Sequence, residues 1–367
     1  MNVRILPANL QGEVFAPPSK SVAHRALICA ALANESSTVF PVDRSKDMEA
    51  TIGALKTLGA SIVRNDNGVT ITGIGKAPKQ AKVDCIESGS TLRFLIPIAA
   101  AKGISCQFIG SGRLPERPLA PYVDAFERKG AHLVGKFVPS HLSGQLQPGA
   151  FILPGNISSQ FITGLLFALP LLSKDSTITL STPLESAPYV DLTIHVLREF
   201  GVHICWEKDK FTIPGNQKYL ARKFQVEGDF SNAAFFLTAA ALGNSVKVFG
   251  LSQNSLQGDR KILNILSALG AMPVQEKEFI TVRQSVSRPT EIDGRDVPDL
   301  LPILCVAAAA VPGRTVIRGT KRLKIKESDR AAAMVDCLSR LGGQIREETD
   351  TLIVDGGHPL HGATVSS

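Results

Sequence analysis

Five places in this 367-residue chain set charged or hydrogen-bonding residues directly ahead of an apolar run: Lys20-Ser21, Gly89-Ser90, Ser158-Ser159-Gln160, Asp229 and Asp299. That pattern suits anion binding. The first turn of a helix leaves backbone N–H groups unpaired and carries the positive end of the helix dipole. Lys20 and Arg25 add cationic charge to the first of these starts. Gly89 lets a ligand approach the backbone, and Ser90 and Thr91 add hydroxyls beside it. Ser158, Ser159 and Gln160 place three hydrogen-bonding side chains on one turn, and Ser186 stands ahead of a further helix. The loop GSGRLPERP, 110–118, leaves Arg113 and Arg117 outside any regular element. In RGTKRLKIKESDR, 318–330, Leu323 and Ile325 alternate with Lys324 and Lys326, which predicts a strand with one cationic face. It runs into Glu327 and Arg330 at a helix start. Taken singly, each feature has an ordinary reading. The helix starts are plain caps, with Asp229 and Asp299 as N-caps, and the arginines and lysines are solvated surface groups.

The spacing argues against coincidence. From 20 to 89, 159, 229 and 299 the steps are 69, 70, 70 and 70 residues, and an apolar helix follows each start. A second marker keeps the same period: a helix ends at Gly59, Gly130, Gly201, Gly270 or Gly342 and turns into a hairpin. Two markers with one period define an internal repeat, and each unit reads β-α-β-α-β-β. The chain is therefore an α/β (α+β) protein of about five such units. Residues 2–16 read as a strand hairpin turning at Asn9–Gly12, and 47–58 as a second helix. Asn65 to Gly68 reads as a tight turn, and Lys218 to Lys223 as part of a crossing between domains.

At 44% hydrophobic and 20% charged residues, the composition is that of a globular protein with room for two cores. The longest apolar runs, near 161–172 and 300–311, are too short to span a bilayer, and the chain shows no leader, so a cytoplasmic protein is expected. Six cysteines lack CxxC spacing and seven histidines lack ligand spacing, which points to buried thiols in a reducing compartment and to no structural or catalytic metal. A formal charge of +7 favours anionic partners. Aromatic residues are only 6% and no base-stacking motif is present, so small phosphorylated or carboxylated substrates fit better than nucleic acid.

The stretches PPSKSVAHRALICAALA, ESGSTLRFLIPIAA, RLPERPL, ISSQFITGLLFALP, SAPYVDLT, VEGDFSNAAFF, VPDLLPI and KIKESDRAAAM follow one another between residues 17 and 334. In that order they resemble the 5-enolpyruvylshikimate-3-phosphate synthase family, the carboxyvinyl transferases of the shikimate pathway. The resemblance implies two domains of three βαβαββ units with the substrates in the cleft between them. Residues 20–227 would form one domain, and 1–19 with 228–367 the other. It implies that Lys20, Ser21, Arg25, Ser158, Ser159, Gln160, Ser186, Asp299 and Lys326 hold shikimate 3-phosphate. Lys20, Gly89, Arg117, Gln160 and Arg330 would hold phosphoenolpyruvate. Asp299 would take the proton of the attacking hydroxyl, Glu327 would shuttle the proton at the enolpyruvyl methylene, and Lys20 would also serve catalysis. Arg322 stands where the family often has an asparagine ligand. The resemblance further implies no cofactor, and a monomer when complete.

Two other readings stay open at this point. The sister transferase acting on UDP-N-acetylglucosamine usually has a cysteine in the loop corresponding to GSGRLPERP and an asparagine in place of Ser21. An inactive anion-binding fragment is the other. The period places a sixth helix start near 369, past Ser367, and in the family the sixth unit supplies two more phosphoenolpyruvate contacts. The expectation is a chain that keeps most of the shikimate 3-phosphate site and has little activity.

Overall fold

Each repeat folds as a four-stranded sheet with two helices, and one strand order recurs. In the computed structural model, which describes residues 3–325 and 328–366, Gln80–Asp84 pairs in parallel with Ser105–Ile109. Ser140–Gly144 pairs antiparallel to the second strand, and Ala131–Val134 closes the sheet. The same order is built from Ala150–Leu153, Ser176–Leu180, Lys210–Ile213 and Cys205–Glu207. It appears again in Glu291–Asp293, Gly313–Arg318, Thr351–Gly356 and Gln344–Glu348. A parallel pair needs a crossover, and the first helix of each unit supplies it. In chain order the helices are α1 (Lys20–Leu32), α2 (Lys46–Thr57), α3 (Gly89–Ala101), α4 (Ala120–Phe126), α5 (Ser159–Ala168), α6 (Ala187–Glu199), α7 (Phe230–Ala241), α8 (Ile262–Ala268), α9 (Leu301–Ala309) and α10 (Arg330–Arg340). Odd-numbered helices open a repeat. Even-numbered ones lead into the five marker glycines, all of which have positive φ, where a side chain would be strained.

The remaining two sheets exchange their first strands. Gln11–Phe15 precedes α1 in sequence but pairs in parallel with Ser245–Phe249, the strand after α7. Lys223–Gln225 precedes α7 but pairs in parallel with Ser36–Phe40, the strand after α1. The chain accordingly divides into two compact units: a central one, Pro18–Val226, and a terminal one combining residues up to Pro17 with those from Glu227 onward. Both are made of repeated βαβαββ modules.

Three local expectations change. The hairpin expected over 2–16 is a single strand. Leu10 turns its backbone to the segment around Asn244, giving its N–H to Asn244 Oδ1 at 2.7 Å and accepting from Ser245 N at 3.0 Å. Lys218 to Lys223 is not a crossing, because Lys223 already lies in a strand of the central unit and Tyr219 is buried there, its hydroxyl on the Phe167 carbonyl. The cationic strand expected around Leu323 is a 3-10 turn, Lys321–Ile325. Gly319, at φ +79, ends the preceding strand, and the Asp350 carboxylate accepts from Lys321 N at 2.7 Å, so the chain coils. The turn at Asn65 does form, with Asn65 N on Gly68 O between Ser61–Arg64 and Val69–Thr72.

In the central unit α1, α3 and α5 are buried almost all round, as expected for helices with no wide polar face. In the terminal unit α7 leaves Phe235 and Phe236 51% and 37% exposed. Helices α3 and α5 approach closely at Gly164, where a Cβ would run into the Tyr122 hydroxyl and the Arg93 carbonyl. The Tyr122 hydroxyl donates to Arg93 O at 2.6 Å and lies 3.0 Å from Phe161 O, tying the two helices together. Gly164→Ala should therefore destabilise the protein by about 2 kcal/mol, despite alanine's better helix propensity. Urea unfolding measures this, and an unchanged midpoint would mean the helices separate without cost.

Candidate functional site

The starts of α1, α3 and α5 are joined by side chains. Ser19 caps α1, accepting from Val22 N, and places Lys20 on the first turn. Lys20 Nζ lies 2.7 Å from Asp47 Oδ2, in the first turn of α2. Burial raises the Asp47 carboxyl, but the charge and hydrogen bond of Lys20, aided by the Ser88 hydroxyl, outweigh it and hold Asp47 below its usual range. Ser88 in turn caps α3, accepting from Thr91 N at 3.2 Å. The chain of hydroxyls continues inward: Thr91 Oγ1 donates to Ser88 Oγ at 2.8 Å and lies 2.7 Å from Thr51 Oγ1, which lies 2.7 Å from His24 Nδ1.

Gly89 follows that cap. A Cβ there would stand 2.7 Å from Arg117 Cζ and 2.9 Å from Arg117 Nη2, so glycine is what lets this arginine lie against the backbone. Arg117 is buried, not a solvated surface group. On α5, Ser158 caps the helix through Gln160 N, Ser159 is buried, and Gln160 donates to Ser90 Oγ at 2.9 Å. Arg25 is buried with its guanidinium over the Phe94 ring. Its Nε donates to Thr193 Oγ1 at 2.8 Å, its Nη1 to Ser21 O at 2.7 Å and its Nη2 to Tyr189 O at 2.9 Å. Burial pulls Arg25 down to about 10, which still leaves it charged at neutral pH. Ser186, in the left-handed region at φ 59, precedes α6 without capping it. The central unit thus gathers Lys20, Ser21, Arg25, Gly89, Arg117, Ser158, Ser159, Gln160 and Ser186 around the starts of four helices.

In the terminal unit Asp229 is the N-cap it was expected to be, accepting from Asn232 N at 2.8 Å. Asp299 is not a cap. Helix α9 starts after Leu300 with no side-chain cap, and the Asp299 carboxylate pairs with the Arg330 guanidinium. Arg330 opens α10 behind the N-cap Asp329. Arg322 donates to the Arg295 carbonyl at 2.7 Å. Lys326 and Glu327, expected as ligand and proton shuttle, lie outside the described residues.

Sequence reading passed over Asp47 and Arg93. Asp47 carried a usable signal, an acid in a helix's first turn within the same repeat as Lys20. Arg93 carried none, since an arginine one turn into an apolar helix reads as a misfit. In the structure it donates to Gln160 Oε1 at 2.7 Å.

Repeated βαβαββ modules in two domains, with cations and amide donors at the helix starts, are the architecture of the enolpyruvyl transferases. The family model for EPSP synthase (3-phosphoshikimate 1-carboxyvinyltransferase) matches residues 6–367. The chain belongs to that family. It is 45% identical over 370 residues to the 3-phosphoshikimate 1-carboxyvinyltransferase of Clostridium kluyveri, covering 100% of this chain and 87% of that one. The Clostridium acetobutylicum protein of the same name is 44% identical over 373 residues, again covering 100% and 87%. A solved EPSP synthase from Acinetobacter baumannii superposes with a TM-score of 0.78 at 28% identity, covering 96% of this chain and 84% of that one.

Two outcomes follow from this geometry. Gly89→Ala must displace the Arg117 guanidinium, so if the two hold phosphoenolpyruvate, as the family resemblance implies, it should raise KM for that substrate about tenfold and disturb shikimate 3-phosphate binding less. Equal losses for the two ligands would contradict that placement of Gly89. His24 is 2% exposed, and burial, with Lys20 and Arg25 nearby opposing Asp47, lowers its pKa to about 3 from 6.5. The folded protein therefore keeps it neutral where the unfolded chain takes up a proton. Stability from this group is complete above about pH 6.5 and falls as pH drops toward 3, by up to about 1.4 kcal/mol per pH unit. Urea unfolding of His24→Leu should show a pH slope flatter than wild type by up to one proton. Equal slopes would show that His24 titrates alike in both states.

Proposed function

We propose that the chain transfers the enolpyruvyl group of phosphoenolpyruvate to the 5-hydroxyl of shikimate 3-phosphate, releasing phosphate, in the biosynthesis of chorismate and the aromatic amino acids. The observation that carries this reading is the joining of the starts of α1, α3 and α5 in the central unit. Lys20 is held there by Asp47, Arg117 lies against Gly89, and Gln160 bonds to Ser90. One helix start with one cation suits a single anion; three with lysine, arginine and amide donors suit a pair of phosphorylated substrates. The family model and the names of the Clostridium relatives favour this acceptor over UDP-N-acetylglucosamine.

In this reading Lys20, Ser21, Arg25, Ser158, Ser159, Gln160, Ser186, Asp299 and Lys326 hold shikimate 3-phosphate. Lys20, Gly89, Arg117, Gln160 and Arg330 hold phosphoenolpyruvate. Asp299 accepts the hydroxyl proton as the new C–O bond forms at the enol carbon. The methylene carbon gains and then loses a proton through Glu327 while the C–O bond to phosphate breaks. Arg330, paired with Asp299 in this structure, is then shared with the substrate's negative charge. Buried Cys29, Cys85, Cys106 and Cys305, unlinked and with thiols raised by burial, fit a cytoplasmic protein. We place it there as a monomer.

Asp299→Asn tests the base. Turnover should be lost while shikimate 3-phosphate binding stays within about tenfold, or about 1.4 kcal/mol. Because Asp299 caps no helix and its ion pair is partly exposed, stability should change by less than about 1 kcal/mol. Normal turnover in this variant would refute the assignment.

A further inference from the structure

Three side chains at the starts of α3 and α5 form hydrogen bonds whose direction is set by chemistry. Arg93 Nη1 donates to Gln160 Oε1 at 2.7 Å, and Gln160 Nε2 donates to Ser90 Oγ at 2.9 Å. A guanidinium has donors and no acceptor, so the amide oxygen must face it and the amide NH2 must face Ser90. The Ser90 oxygen is then the acceptor, which turns its own hydrogen outward. Among the described residues that hydroxyl donates to nothing. Arg93 is itself fixed: it is 4% exposed, lies 4.8 Å over the Phe161 ring, and its Nη2 is 3.4 Å from the Pro118 carbonyl. Its own carbonyl accepts from the Tyr122 hydroxyl.

We propose that Arg93 is a positioning residue that fixes the direction of this relay, and that Ser90 is a further anion-binding residue, its hydroxyl donating to a carboxylate or phosphate oxygen of the enolpyruvyl donor. The inference rests on the reading that places that donor at Gly89 and Gln160. Ser90 adjoins Gly89, whose Cα faces the Arg117 guanidinium, so an anion held there meets the Ser90 hydrogen. With the amide reversed, the Gln160 carbonyl would face Ser90, draw in its hydrogen and leave oxygen lone pairs toward the anion. Such an arrangement repels the ligand it should bind.

The test compares Arg93→Gln, Arg93→Lys and Ser90→Ala in the full chain, with thermal melts to verify folding. Arg93→Gln removes the donor-only group, and KM for phosphoenolpyruvate should rise about tenfold with kcat changed far less. Arg93→Lys, still donor-only, should restore most of the loss. Ser90→Ala should raise the same KM about fivefold, one charge-assisted hydrogen bond lost. A second readout is independent of turnover. The Gln160 side-chain NH2 signals in 15N-labelled protein, identified by their absence in Gln160→Glu, should be shifted and slow to exchange in wild type and in Arg93→Lys. In Arg93→Gln they should approach those of a free amide. Those amide signals with no wild-type turnover would sink the functional reading and leave the relay standing. Wild-type turnover with amide signals and KM unchanged in Arg93→Gln would overturn the relay. An unchanged KM in Ser90→Ala would overturn the role given to Ser90, and it decides that point even if Arg93→Gln fails to fold.

Discussion

The close contact of α3 with α5 is the constraint on which the central unit's site depends. Gly164 removes the one side chain that would hold the helices apart, and the Tyr122 hydroxyl, kept protonated by burial, bonds to carbonyls of both. Only at that separation can Gln160 of one helix reach Ser90 of the other, and Arg93 reach Gln160. Burying nearly every face of two helices lowers free energy through apolar area, yet it also forces their polar starts together. The gathering of these donors is a consequence of packing decided elsewhere in the helices.

The charged groups of the chain are partnered in different ways. Arg25 meets neutral acceptors, two carbonyls and a hydroxyl, and the face of a ring, so its positive charge is solvated and not cancelled. A carboxylate partner would have cancelled that charge, and with it part of the phosphate affinity proposed for Arg25. Lys20 does have a carboxylate, Asp47, but both remain partly exposed, where a pair holds an ammonium in place without strongly neutralising it. Asp299 and Arg330 pair directly, and in the proposed reaction both would change partners.

Much of this was legible because the chain repeats itself. The five marker glycines all take positive φ, and four of the five helix starts are capped by the residue type expected there. What escaped depends on contacts remote in sequence. The alternation around Leu323 satisfies a strand pattern, and Gly319 together with the Asp350 carboxylate, 29 residues beyond the Lys321 it accepts from, makes it a turn. The exchange of Gln11–Phe15 and Lys223–Gln225 between sheets is likewise invisible locally, since either strand would fit either edge. Arg25 and Arg117 looked solvent-seeking, yet both are buried; for Arg25 the burial rests on Thr193, Tyr189 and the Phe94 ring, all remote in sequence.

A repeated module also provides an internal control for chemistry. Asp229 and Asp299 occupy equivalent positions, 70 residues apart, ahead of equivalent apolar helices. Asp229 does what the position asks, accepting from Asn232 N and stabilising α7. At Asp299 the helix begins two residues later, behind Leu300, and the carboxylate leaves the backbone for a guanidinium. Giving up a cap costs about 1 kcal/mol, and the ion pair that replaces it recovers no more than that at partial exposure. A cap is thus exchanged for an ion pair of similar size. A departure of this kind between sister repeats is what the proposed role of Asp299 as base would require.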